Sequence, residues 1–293
     1  MTAERTSVAE AAGARAALEA GSLRAEALQK DFRLRSGLKV RTLHAVRGVS
    51  LALEPGRTVA LVGESGSGKS TIARMLAKLE SPTGGRILLD GAQSANRGRG
   101  LAAYRRDVQM VFQDPFGSLN PFHSILHHLE RPIRLHHPGL SGAAVRERAE
   151  ELLERVRLSP AAKFAERRPH ELSGGQRQRV AIARALAPGA RFIIADEPVS
   201  MLDVSIRLGV LNLLAELQRQ ERLGVLYITH DLATARHFSD EILVMYRGEI
   251  VERGPSERVI LDPQHDYTKT LLDAAADPDR LGQLRDEVRR EAG

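Results

Sequence analysis

The stretch Thr58-Val59-Ala60-Leu61-Val62-Gly63-Glu64-Ser65-Gly66-Ser67-Gly68-Lys69-Ser70-Thr71 decides the fold. Its first five residues are a β-branched, apolar run that reads as a buried strand. Residues 71–79 read as a helix. Between them stands G-x-x-x-x-G-K-[ST], from Gly63 to Ser70, in the strand–loop–helix order the pattern requires. Gly63, Gly66 and Gly68 let backbone N–H groups turn inward without a Cβ in the way, and Glu64, Ser65 and Ser67 complete the loop. The start of the helix at Thr71 adds its positive dipole end. Such a loop cradles phosphate oxygens. Lys69 is placed to reach the β- and γ-phosphates of a nucleotide, and the Ser70 hydroxyl to ligate Mg²⁺.

Working outward, residues 25–53 partly alternate apolar with polar, as in a half-buried antiparallel sheet, and residues 84–91 read as another strand of it. Val108 to Phe112 is a further short strand. Residues 122–187 read as mostly helical, broken near Pro138-Gly139, Pro160 and Pro169. Strand–helix alternation then returns. A buried strand over 191–195 ends at Asp196, and Ile206, Val210, Leu213, Leu214 and Leu217 share one helical face. The next buried strand runs from Gly224 to Thr229, and residues 241–252 read as a hairpin turning at Arg247-Gly248. The fold class is therefore α/β, a P-loop NTPase core of mostly parallel sheet with an antiparallel β subdomain and an inserted α-helical subdomain.

Composition narrows the function classes. The chain has 293 residues and no cysteine, which excludes a disulfide framework and a thiolate metal site. No apolar run approaches the length that spans a bilayer. The net charge of +6 could suggest nucleic acid, but the basic residues are dispersed and only 4% of residues are aromatic. Stacking platforms for single strands are hard to build from so few rings, so no nucleic-acid partner is expected.

Two further segments carry chemistry. Asp196 and Glu197 follow a buried strand, at the edge where α/β sheets place their ligands. Asp196 suits Mg²⁺, held through water, and Glu197 suits orienting or deprotonating an attacking water. Ser173-Gly174-Gly175-Gln176 opens a helical run and makes a second anion-binding helix start.

In this order and spacing the chain resembles the nucleotide-binding subunits of ATP-binding cassette (ABC) transporters. The resemblance covers about residues 25–272. It implies a head-to-tail dimer that sandwiches two ATP molecules with Mg²⁺. Each site takes Lys69, Ser70, Gln113, Asp196, Glu197 and His230 from one chain, and Ser173, Gly175 and Asp203 from the other. Gln113 resembles the glutamine that senses Mg²⁺ and the attacking water, and His230 the histidine that contacts the γ-phosphate. Ser200-Met201-Leu202-Asp203 resembles the loop that crosses between subunits, with Asp203 its usual carboxylate and Met201 in place of a more usual alanine. Phe32 stands where the family places an adenine-stacking tyrosine, a core phenylalanine being the alternative.

The stretches 111–121 and 197–206, and the tail Pro263-Gln264-His265-Asp266-Tyr267, are similar to importers of dipeptides and oligopeptides. Asp266 replaces that group's proline. The resemblance implies a variable lead over 1–24, a nucleotide-binding domain over 25–262 with its helical insertion at about 115–187, and a group-specific tail over 263–293. The implied partners are transmembrane permease subunits, a second ATP-binding subunit, identical or related, and indirectly an extracytoplasmic solute-binding protein. The implied location is peripheral, on the cytoplasmic face of the cell membrane. Oligosaccharide or nickel import, or a soluble ATPase acting on nucleic acid or ribosomes, are the alternatives.

One cluster stands apart. His123, His127, His128, His136 and His137 read as a solvated helix face, with a metal site as the competing reading.

Overall fold

The computed structural model describes residues 21–36 and 39–276. Most of the lead and the last part of the tail lie outside the described residues.

Two long strands, β1 (Leu23–Ser36) and β2 (Lys39–Leu53), pair antiparallel. β3 is Thr58–Val62, and α1 (Lys69–Leu76) follows the glycine loop. β4 (Gly84–Leu89) and β5 (Ala92–Gln93) complete a four-stranded antiparallel sheet in the order β2-β1-β4-β5. After α2 (Gly98–Asp107) and β6 (Val108–Val111) comes a run of helices: α3 (Pro115–Ser118), α4 (Ile125–His136), α5 (Gly142–Arg155), α6 (Ala161–Glu166) and α7 (Gly174–Leu186). The alternation then resumes with β7 (Phe192–Asp196), α8 (Val204–Glu221), β8 (Gly224–Thr229) and α9 (Leu232–Phe238). β9 (Glu241–Tyr246), β10 (Glu249–Pro255), α10 (Ser256–Leu261) and α11 (Asp266–Ala276) are the last of the described elements.

The six-stranded sheet runs β10-β9-β3-β8-β7-β6. Every pairing in it is parallel except that of β10 with β9. Its inner strands are apolar on both faces because both faces are covered. The two-residue side-chain period splits each strand between two cores. Ala60, Val62, Ala195 and Tyr227 join a core built with α4 to α8. Val59, Leu61, Ile194 and Ile228 join a core shared with α1 and the antiparallel sheet. In α1, Ile72, Ala73, Met75 and Leu76 face that second core, which fixes the helix start beneath the glycine loop.

Most strand ends shift by one or two residues from the sequence reading, and larger differences fall at α1 and the last hairpin. α1 begins at Lys69 rather than residue 71, because Gly68 takes φ 108° at the N-cap and the turn winds at once. It stops at Leu76 rather than residue 79, where Lys78 adopts φ 56° and leaves the helix. The hairpin does turn at Arg247-Gly248, both with positive φ, but β10 continues to Pro255.

Candidate active site

The loop between β3 and α1 closes on itself around Lys69. The buried Lys69 ammonium donates to the carbonyls of Gly63 and Glu64, both at 2.7 Å. Two of the glycines are dictated by close approach. A Cβ on Gly63 would lie 2.2 Å from the Met245 carbonyl oxygen, and one on Gly68 would lie 2.3 Å from the Ala45 carbonyl oxygen. The turn after β9 supports the loop's far end, where the Gly248 N–H donates to the Ser67 carbonyl at 3.0 Å. Ser65, Gly66 and Ser70 are exposed, Thr71 is half-buried, and the Ser67 hydroxyl is buried without a hydrogen-bond partner. A buried hydroxyl without a partner in a glycine-rich loop is a ready donor for an anionic oxygen.

The carboxylates stand at the end of β7. Ser70 donates to Asp196 Oδ1 at 3.1 Å, so a hydroxyl and a carboxylate meet as two hard oxygens suited to Mg²⁺. Glu197 sits at φ 45°, a left-handed conformation that costs energy for a residue with a Cβ. Its Oε2 accepts from Gln113 Nε2 at 2.8 Å, and its Oε1 lies 3.4 Å from His230 Nδ1. Lys69, Ser70, Gln113, Asp196, Glu197 and His230 therefore come from separate segments into one site.

Burial disfavours both opposite charges there. It pulls the Lys69 ammonium below the usual lysine range, against the pull of the Glu197, Asp196 and Glu64 carboxylates. It pushes the Asp196 carboxyl up. The Ser70 hydrogen bond opposes that shift and the Glu197 charge adds to it.

A second constellation gathers Ser173, Gly174, Gly175, Gln176 and Asp203. Ser173 caps α7 in a reciprocal box, accepting from the Gln176 N–H at 3.3 Å while Gln176 Oε1 accepts from the Ser173 N–H at 2.9 Å. A Cβ on Gly175 would lie 2.5 Å from Ile206 Cγ2, and one on Gly174 would lie 3.2 Å from Leu202 Cδ2. The Ser-Gly-Gly turn is thus packed on the residues that flank Asp203, the exposed N-cap of α8. Ser200 ties this loop back to Glu197, whose carbonyl accepts from the Ser200 hydroxyl at 3.0 Å.

Phe32 lies on β1 opposite Leu43, two residues before Ala45, whose carbonyl crowds Gly68. Lys30 Nζ stands 5.0 Å from the Phe32 ring centroid. Phe32 is half-buried rather than a core residue.

The histidines form no extended helix face. His123 precedes Ser124, the N-cap of α4, and its ring stacks on His127 at 4.0 Å. His128 turns partly inward, with Nε2 3.0 Å from the Asn120 carbonyl oxygen, and burial lowers its pKa. Among the described residues no group of three or more His, Asp or Glu is arranged to hold a metal ion by itself. Beside them a cleft of about 1110 Å³ runs from Ser70, Gln113 and Asp196 to Arg74, Arg131 and Arg184.

Sequence reasoning missed a contact from the tail. The Tyr267 hydroxyl accepts from the Glu64 N–H at 3.0 Å, across 203 positions of sequence. The tail pattern that contains Tyr267 was legible, but nothing in it names the loop it touches.

Comparison with known proteins identifies the family. The family described as ABC transporter matches residues 46–200. The glutathione import ATP-binding protein GsiA of Escherichia coli is 49% identical over 266 residues, covering 88% of this chain and 42% of that protein. GsiA of Salmonella typhi is 47% identical over 264 residues with the same coverage. The chain thus spans about two fifths of the length of these curated relatives. Among solved structures, the dimeric post-hydrolysis ATP-binding cassette MJ0796 bound to ADP and Pi matches with a TM-score of 0.70 and 33% identity, over 80% of this chain and 98% of that one. The cbiO1 protein of Clostridium perfringens, part of the transporter complex cbiONQ, matches with a TM-score of 0.70 and 25% identity, over 90% and 98%. With a cradle, a carboxylate pair and a Ser-Gly-Gly turn set on the same fold as these cassettes, the chain belongs to the ABC transporter family.

Proposed function

We propose that the chain hydrolyses ATP to energise uptake of a peptide or related solute through separate membrane subunits. The observation that carries this reading is the join between cradle and carboxylates. Ser70 meets Asp196 at 3.1 Å, and Glu197 is held by Gln113 at 2.8 Å and faces His230 at 3.4 Å. Lys69 and the loop amides bind the β- and γ-phosphates, and the rim that carries Phe32 receives the base. Ser70, Asp196 and Gln113 would hold Mg²⁺, which supplies charge neutralisation on the polyphosphate when bound. Glu197 accepts the proton of the attacking water, with Gln113 and His230 fixing its carboxylate. Protein groups in phosphoryl transfer act chiefly by position and charge, which suits a site with few reactive side chains.

Ser173, Gly175 and Asp203 serve the site of a second subunit, so the functional unit is a sandwich of two cassettes. That second cassette is a copy of this chain or a related one, and the MJ0796 cassette is itself described as dimeric. No helix among the described residues is long and apolar enough to cross a membrane. In this reading, which rests on the resemblance to importer ATP-binding proteins, transport runs through permease subunits that the cassette engages peripherally on the cytoplasmic side, with a solute-binding protein acting on the far side. GsiA is named for glutathione import, and the tail and the 111–121 stretch favour a peptide-type solute here.

The test is ATP hydrolysis by the chain co-purified with its permease subunits. Parental protein should turn over ATP only with a divalent cation, and Lys69→Ala should lose nucleotide binding. Hydrolysis that survives Lys69→Ala, or that needs no divalent cation, refutes the assignment.

A further inference from the structure

The phosphate loop is clamped at both ends, and one clamp comes from the tail. Gly63 O and Glu64 N belong to a single peptide unit. In a trans peptide the carbonyl and the N–H point to opposite sides. The carbonyl points inward and accepts from Lys69 at 2.7 Å, and the N–H points outward to the Tyr267 hydroxyl at 3.0 Å. Fixing the outward N–H therefore fixes the inward carbonyl that positions Lys69.

The tail is built to hold that hydroxyl still. The Tyr267 ring packs on Tyr246, at the end of β9, with centroids 4.2 Å apart. The turn before α11 is tied to β10, because the Glu252 carboxylate accepts the N–H groups of Gln264 at 2.8 Å and His265 at 3.0 Å. Thr268, Leu271 and Ala274 anchor α11 in the protein interior. Tyr246 also leads into the Arg247-Gly248 turn that holds Ser67, so β9 supports both clamps. Burial pushes the Tyr267 phenol far above neutral pH, so the hydroxyl stays protonated and acts by position, not by charge.

We propose that Tyr267 is a positioning residue for nucleotide binding: its hydroxyl sets the Gly63–Glu64 peptide, and the tail thereby controls how tightly the loop retains a nucleotide. This rests on the reading of the loop as the ATP site. A displacement of the tail would loosen the loop without touching any residue that contacts phosphate.

Tyr267→Phe removes the hydroxyl and keeps the ring against Tyr246. Titrations of MgATP and MgADP into the full-length chain should show about 3- to 10-fold weaker binding, the range of one hydrogen bond. The melting temperature without nucleotide should fall by no more than about 6 °C, so the chain still folds. In steady state KM should rise while kcat stays within about twofold, as for a loss of ground-state positioning. Hydrogen exchange at the Glu64 amide should accelerate. Glu252→Ala, which keeps the Tyr267 hydroxyl but frees the turn that positions it, should weaken binding in the same direction. Parental affinity and unchanged exchange in Tyr267→Phe would overturn the proposal, as would a fall in kcat at constant KM. If the parental chain itself binds neither nucleotide, the assignment of the loop fails first and this inference falls with it.

Discussion

Gly175→Ala separates the two constellations. An alanine Cβ there would stand 2.5 Å from Ile206 Cγ2, where ordinary carbon contacts begin near 3.4 Å. The Ser-Gly-Gly turn and the start of α8 must therefore part by roughly 1 Å, since packed interiors give little. Two stability terms oppose each other. Overpacking costs about 1–3 kcal/mol, and replacing glycine within a helix returns about 1 kcal/mol. The net loss, roughly 0–2 kcal/mol, lowers the melting temperature by at most about 8 °C, so the chain still folds. Function is hit harder. A misplacement of about 1 Å in a positioning element costs on the order of 100-fold in rate, or about 2.7 kcal/mol of barrier. The near neighbour of Gly175 is Ile206, not the cradle, so the same chain's affinity for MgATP should stay within about twofold. Steady-state hydrolysis and a binding titration on the one variant read both quantities. Parental turnover would refute the role of this turn, and a parallel loss of affinity would refute its separation from the cradle.

Glu197→Gln keeps the Gln113 contact but removes the proton acceptor, so kcat should fall by about 10²–10⁴ while MgATP binding persists; this is read in a single-turnover assay. Asp196 has a raised pKa, so it protonates at a higher pH than a free aspartate. Divalent-dependent nucleotide affinity should therefore begin to fall at a pH where ordinary aspartates stay ionised, and Asp196→Asn should weaken binding and flatten that profile in a titration series. Asp90 is held below the usual aspartate range by its paired hydrogen bonds from Arg191, both at 2.8 Å. Its contribution is present above the unfolded value near 3.8 and is lost as pH falls through the lower folded value. Both partners are over a third exposed, so Arg191→Ala should cost no more than about 1 kcal/mol at neutral pH in denaturant titration, and less in high salt.

The sequence made the central sheet legible because its strands are buried on both faces, so 58–62, 192–195 and 224–229 read as unbroken apolar runs. The loop was legible because a cradle needs glycine at fixed spacing, and both Gly63 and Gly68 turn out to abut backbone carbonyls. Local spacing could not reveal what presses on them. Met245 and Ala45 are far away in sequence, and their crowding atoms are main-chain oxygens that carry no residue signature. Tyr267 is the same case. Its pattern marked the tail, while its contact is a hydroxyl on a backbone N–H that any residue but proline at position 64 would supply. Helix ends were missed by a few residues for a related reason: positive φ at Gly68 and Lys78 sets them, and only the glycine advertises it.

The electrostatics of the site argue for one kind of ligand. Lys69 is less readily charged than a free lysine, and Asp196 less readily charged than a free aspartate, although they share a site. Their mutual attraction therefore does not offset the burial of either group. An anion alone would satisfy Lys69 and the orphaned Ser67 hydroxyl but would meet the carboxylates of Asp196 and Glu197. A cation alone would satisfy Asp196 but would stand in the field of Lys69. A polyphosphate that carries its own divalent cation satisfies both at once. The two components must then bind with positive coupling, each raising the site's affinity for the other by the same factor. On the function proposed above, a metal-bound nucleotide is the ligand that a buried lysine and a buried carboxylate, the latter joined to the loop through Ser70, would favour.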